Sequence, residues 1–155
     1  MKIIDVFPPE DFAEGYVAGF FDGEGSVGLY LEKNRPKPVI SITNCHWHVL
    51  NYLHALVLPL LQIDVRGQKN MQIRITSWEA VKNFVGVLKD ICIVKRQELE
   101  LMDQAVQLHQ KLVDNRSGRK IYSHSDIEDF KRISAKMRAE KKRIVEHGKH
   151  MARTP

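Results

Sequence analysis

The sequence has little cysteine, few aromatic residues and no long apolar run. Its two cysteines, Cys45 and Cys92, lie far apart and form no CxxC pair. That excludes a disulfide scaffold, argues against a zinc ribbon and fits a reducing compartment, so we expect an intracellular protein, cytoplasmic in a prokaryote or organellar. The longest apolar run, Ala55-Leu56-Val57-Leu58-Pro59-Leu60-Leu61, falls far short of the ~20 residues of a membrane span and contains a proline. No membrane partner is expected. The first residues, Met1-Lys2-Ile3-Ile4-Asp5, carry charge inside their apolar patch and offer no small-residue cleavage site, so no secretory signal is read. No internal repeat is found. With 43% hydrophobic and 28% charged residues, the 155-residue chain has the composition of one globular domain, not of a disordered or collagen-like one.

What the sequence does have is positive charge, unevenly placed. Lys and Arg number 24 against 19 Asp and Glu, a formal net charge of +5. From Lys131 to Pro155 nine basic residues face only Glu140 and Glu146. Such a run reads as a salt-sensitive footprint for nucleic acid or another anionic surface; a solvated helix face is the alternative.

Periodicity organises the rest. Pro8-Pro9-Glu10-Asp11 opens a helix through about Phe21, ended by Asp22-Gly23-Glu24-Gly25. Ser26 to Glu32 alternates, with Val27, Leu29 and Leu31 inward; Asn34-Arg35-Pro36 marks a turn; Lys37 to Thr43 returns with Ile40 and Ile42 inward. Trp47 to Leu56 has helical spacing and stops near Pro59. A second hairpin pairs Ile63–Gln68 with Met71–Thr76 through Lys69-Asn70, with Ile73 and Ile75 inward. Ser77 caps a helix to about Asp90, a long helix covers Arg96 to Val113, and Ser125 with Glu128 forms a capping box for the last. The fold class is therefore α+β, ordered αββαββα with C-terminal helices. A single domain spans 1–155, with a core at about 8–113 and a basic helical extension at about 114–155.

Tyr16 to Ser26 carries the chemistry. Gly15, Ala18 and Gly19 put small residues on a helix, where each glycine costs about 1 kcal/mol relative to alanine, a loss that close helix–helix approach would repay. Asp22 and Glu24 end that helix, where carboxylates oppose the dipole unless a cation sits nearby. The glycine turn exposes carbonyls beside them, and oxygen ligands of both kinds suit a hard cation such as magnesium. Taken alone, Asp22 to Gly25 also reads as an ordinary turn.

Val17-Ala18-Gly19-Phe20-Phe21-Asp22-Gly23-Glu24-Gly25 resembles the LAGLIDADG motif of homing endonucleases, and the αββαββα order resembles that family's core over roughly Phe12 to Val113. Valine stands in place of the first leucine and glutamate in place of the last aspartate. The resemblance implies a site-specific double-strand DNA endonuclease, intron-encoded, dependent on Mg2+ with Mn2+ able to substitute, and leaving short 3′ overhangs. With one motif per chain it implies a homodimer on a long pseudopalindromic target. Gly15, Ala18 and Gly19 would then lie at the dimer interface, with Asp22 supporting the ends of the paired helices. Glu24 would bind the metal with help from the Gly23 carbonyl, so that in-line attack by a metal-activated water cuts each strand.

The same resemblance sets two hairpins as a four-stranded antiparallel saddle on the major groove. Its outward DNA-binding residues would be Gly28, Tyr30, Glu32, Asn34, Arg35, Lys37, Val39, Ser41, Arg66, Gln68, Gln72 and Arg74. Asn44 and Lys95 stand where the homodimeric branch has a water-positioning polar residue and a basic residue near the phosphate, and His48, one helical turn from Asn44, joins the solvent network. A helix cap and a surface lysine are the plainer roles of Asn44 and Lys95. Cys45, His46 and His48 lack the further ligands that a structural zinc needs. The competing functions are an RNA-binding splicing maturase or non-cleaving DNA-binding protein of the same fold, and a helix-mediated dimerisation protein.

Overall fold

The computed structural model describes residues 10–61, 72–114 and 122–151. Within them the chain runs α1 (Glu10–Glu24), β1 (Gly25–Glu32), β2 (Arg35–Thr43), α2 (Trp47–Leu61), β3 (Gln72–Ile75), α3 (Trp78–Leu88), α4 (Arg96–Asp114) and α5 (His124–Met151). The three strands form one antiparallel sheet in the order β1-β2-β3. The expected strand Ile63–Gln68, its turn at Lys69-Asn70, the DNA-binding candidates Arg66 and Gln68 and the loop Ser117 to Lys120 lie outside the described residues.

Alternation in the strands decides the inner face. Val27, Leu29, Ile40, Ile42, Ile73 and Ile75 are buried, and they share one core with Val17 and Phe21 of α1, Phe84 and Leu88 of α3, Leu99 and Met102 of α4, and Phe130 and Met137 of α5. Phe21 and Phe84 meet edge to face at 5.1 Å. The outer face carries Tyr30, Glu32, Arg35, Lys37, Thr43 and Arg74, all exposed.

Several local boundaries differ from the sequence reading. The α1 helix does not stop at Phe21 but runs through Glu24 straight into β1. Gly25 makes that break possible, since a Cβ there would collide with the ring and carbonyl of Phe21. The hairpin turn is Lys33-Asn34, not Asn34-Arg35-Pro36: both residues have positive φ, at 50° and 60°, and Glu32 pairs with Arg35 across a two-residue loop. Pro36 and Pro38 therefore lie within β2. In a two-residue hairpin the flanking pair exchanges hydrogen bonds, so the 31–36 and 29–38 pairs do not, and both proline nitrogens point away from β1. The ladder to β3 starts only at Ile40. The α2 helix continues past Pro59 to Leu61.

Caps fix the remaining helices. Ser77 Oγ accepts from Ala80 N–H at 3.2 Å, as the sequence predicts. The α5 capping box is Ser123 with Asp126, two residues earlier than expected: Ser123 N–H donates to the carboxylate at 2.7 Å and Asp126 N–H to Ser123 Oγ at 3.2 Å. The α5 helix then lies along the free edge of β1, where Ser134 Oγ donates to the Leu29 carbonyl at 2.7 Å. That covers a carbonyl which β2 cannot reach.

Candidate functional site

The α1–β1 junction places Glu24, exposed, at the last residue of α1. Asp22, one half-turn earlier, is engaged instead. Its carboxylate accepts three backbone N–H bonds, from Ile93 at 2.8 Å, Val94 at 3.1 Å and Lys95 at 2.9 Å. A carboxylate at the negative end of α1 is thereby satisfied by donors at the positive end of α4. Its role in this chain is to tie α1 to the segment before α4. The neighbouring Cys92 thiol is pushed up to about 12, first by burial and then by the Asp22 charge, and its Sγ donates to the Ala18 carbonyl at 3.7 Å.

Lys95 is the N-cap of α4, its carbonyl accepting from Leu99 N–H at 2.9 Å. A cation is disfavoured there by the helix dipole. It is balanced by Glu98, whose Oε1 lies 3.5 Å from Lys95 Nζ. Neither Glu98 nor its second partner, Lys141 of α5, stood out in the sequence. Glu98 reads there only as an acid in a helix's first turn, and nothing local links position 141 to position 98.

Gly25 pairs with Ile42, so the end of α1 and the end of β2 share one end of the sheet. Asn44 follows β2. Its Oδ1 accepts from His46 N–H at 2.8 Å. His48, exposed on the first turn of α2, lies tilted against Trp47, with ring centroids 3.7 Å apart and planes at 36°. Glu24, Asn44 and Lys95 are thus assembled at one end of the sheet from positions far apart in sequence.

Two of the expected site residues are turned elsewhere. Ala18 is 2% exposed and belongs to the chain's own core rather than to an open dimer face. Gly15, Gly19 and Gly23 recur every four residues on the exposed side of α1, where an added Cβ would meet nothing within 4 Å. The open stripe is therefore Gly15-Gly19-Gly23, flanked by the exposed rings of Phe12 and Tyr16. Val39 is 7% exposed although its register places it on the outer face. It sits across from Gly28, over which the Tyr30 ring leans: a Cβ at Gly28 would come 2.7 Å from that ring. Val39 is therefore covered by packing and is not open on the outer face. The other outer residues are polar and partly paired, Lys37 with Glu32 at 3.1 Å and Gln72 with Thr43 at 3.2 Å.

No three His, Cys, Asp or Glu side chains converge among the described residues. At the α1–β1 junction the exposed carboxylate is that of Glu24, with Asp22 engaged by backbone donors. Magnesium takes one or two protein carboxylates and completes its shell with waters and phosphate oxygens, so it fits this donor set; zinc, which needs three or four protein ligands, does not.

No protein-family model and no curated relative matches the sequence. Solved structures do. The homing endonuclease I-TnaI aligns over 90% of this chain and 99% of its own, with TM-score 0.59 and 16% identity. The archaeal intron-encoded homing endonuclease I-Vdi141I, solved with DNA, aligns over 84% and 99%, with TM-score 0.52 and 23% identity. The LAGLIDADG meganuclease I-AabMI, bound to uncleaved DNA, aligns over 66% of this chain and 39% of its own, with TM-score 0.54 and 25% identity. With the motif residues Val17 to Gly25 spanning the end of α1 and the start of β1, this chain has the fold of the LAGLIDADG homing endonucleases.

Proposed function

We propose that the protein is a site-specific double-strand DNA endonuclease, intron-encoded, that works as a homodimer. The observation that carries this reading is the exposed Glu24 at the α1–β1 junction, with Lys95 held near it through Asp22. A binding protein gains nothing from a carboxylate facing phosphate. Two copies would pack their α1 helices along Gly15, Gly19 and Gly23, which brings two Glu24 side chains to one composite site and calls for a pseudopalindromic target.

Glu24 from each copy, with the Gly23 carbonyl, would hold the divalent cation, magnesium or manganese. When bound, such a cation supplies charge to offset the phosphate and lowers the pKa of water. Lys95 stabilises the negative charge that grows on the phosphate oxygens. The Asn44 amide and the His48 ring orient the attacking water in line with the bond that breaks. Each copy cuts one strand, leaving short 3′ overhangs.

Recognition falls to the outer face of the sheet. Tyr30, Glu32, Arg35, Lys37, Ser41, Gln72 and Arg74, with Gly28 and the turn residue Asn34, would lie in the major groove. Each good bidentate Arg or Gln contact there contributes about 1–3 kcal/mol of discrimination between bases.

The test is incubation of the purified protein and its Glu24→Gln variant with a randomised duplex library in magnesium, followed by sequencing of the cut ends. A long near-palindromic site cut by the wild type and not by Glu24→Gln, with binding retained, is the expected result. Equal cutting by both proteins would sink the assignment of Glu24. Absence of cutting together with salt-sensitive binding to structured RNA would favour a maturase.

A further inference from the structure

Glu98 is the only fully buried carboxylate among the described residues, at 0% exposure, and the reaction proposed above gives it no part. Its Oε1 lies 3.5 Å from Lys95 Nζ and its Oε2 lies 3.8 Å from Lys141 Nζ, while Oε2 accepts no hydrogen bond. Burying a carboxylate is costly unless cations compensate it. Here the cations come from two helices that meet nowhere in sequence, and neither approaches to the about 2.7–2.9 Å of a close charge-assisted bond. Lys141 Nζ also donates to Ser26 Oγ at 3.3 Å. The backbone of Lys95 is held by Asp22. Asp22 and Ser26 stand two residues to either side of Glu24, so the Lys95 backbone and the Lys141 ammonium are tethered on its two flanks. Within that trio one carboxylate faces two ammoniums, and each ammonium carries three donors. An anionic acceptor such as a phosphate oxygen completes that arrangement.

We propose that buried Glu98 is a positioning residue that gathers Lys95 and Lys141 into one cationic pair beside Glu24, where the pair grips a DNA phosphate. The placement beside the cut rests on the endonuclease reading; the gripping of phosphate does not. It also gives α5 a part in the site: the helix runs antiparallel along β1, from Ser134 at Leu29 to Lys141 at Ser26, and so delivers its lysine to the α1–β1 junction.

The test uses the full chain and a short duplex of arbitrary sequence, titrated across a range of salt. Lys141→Met should weaken binding at least about threefold and lower the slope of log affinity against log salt by about 1 per subunit. In a Glu98→Gln background the same substitution should lose most of its effect, since the lysines are then no longer held together. An unchanged salt slope in Lys141→Met, or losses that simply add, would overturn the proposal. If Glu98→Gln does not fold by circular dichroism, a cycle between Lys95→Met and Lys141→Met asks the same question, and additivity there would overturn it equally. On a cleavable site, Glu98→Gln should lower kcat at least about tenfold with KM little changed; an unchanged kcat would refute the positioning role. These binding cycles need no cutting, so a wild type that cuts no DNA would end the endonuclease reading while they still decide the phosphate grip.

Discussion

Asp22 joins parts of the chain more than seventy residues apart with one carboxylate. The motif marks this position as acidic, yet its three N–H partners lie on the segment before α4, which only the fold brings to the end of α1. Asp22→Ala leaves those donors without their charged acceptor, and we expect a loss of about 2 kcal/mol in urea unfolding and, on the proposed endonuclease reading, slower cutting as Lys95 moves. Retained stability would show that solvent replaces the carboxylate at no cost. Cys92 yields a second prediction at this scale. Its folded pKa of about 12 lies above the ordinary 9.0, so between those values the unfolded thiol loses its proton while the buried one keeps it. The unfolded state then binds fewer protons, and stability falls as pH rises, by up to about 1.4 kcal/mol per unit. Comparison of urea midpoints at rising alkaline pH should show a steeper decline for the wild type than for Cys92→Ala, and parallel declines would refute it.

Among the elements, α1 has two faces with different purposes. Val17, Ala18 and Phe21 point into the core, and Gly15, Gly19 and Gly23 point out. From the sequence Ala18 and Gly19 look alike, both small and adjacent; one hundred degrees of helical rotation separates them, and only the core decides which is covered. The end of α1 depends on a similar contrast. Gly23 and Gly25 are both capable of ending a helix, but only at Gly25 does Phe21 press against the backbone. Gly25→Ala should therefore destabilise the chain by about 1–3 kcal/mol, as overpacking does, whereas Gly23→Ala should not. Thermal unfolding of the two variants side by side tests this, and equal melting temperatures would contradict the close approach.

For the whole molecule, the proposed homodimer poses the question of how two copies would meet. An added Cβ at Gly19 meets nothing within 4 Å among the described residues, so Gly19→Leu should keep the far-ultraviolet circular dichroism of the wild type while blocking close helix approach. If the proposed dimer forms through this stripe, sedimentation velocity should then report a monomer. A Gly19→Leu protein that remains dimeric would move the interface elsewhere. The C-terminal charge takes on a different meaning at this scale. Read as a run, it is a basic tail; in the fold, Phe130, Ser134 and Met137 seat α5 against the sheet and core, and Lys141 is drawn inward to Glu98.

Local pattern by itself determined the inward rows of the sheet, the Ser77 cap, the motif and the acidic end of α1. Each depends on neighbours within a turn or a strand pair, where apolar period and capping geometry act directly. Tertiary structure alone decided that Ala18 and Val39 are covered, that Asp22 binds the approach to α4, and that Glu98 draws Lys95 and Lys141 together. Those outcomes depend on which surface meets which, and an apolar or charged period states that a face must be covered or neutralised without naming the partner that does it.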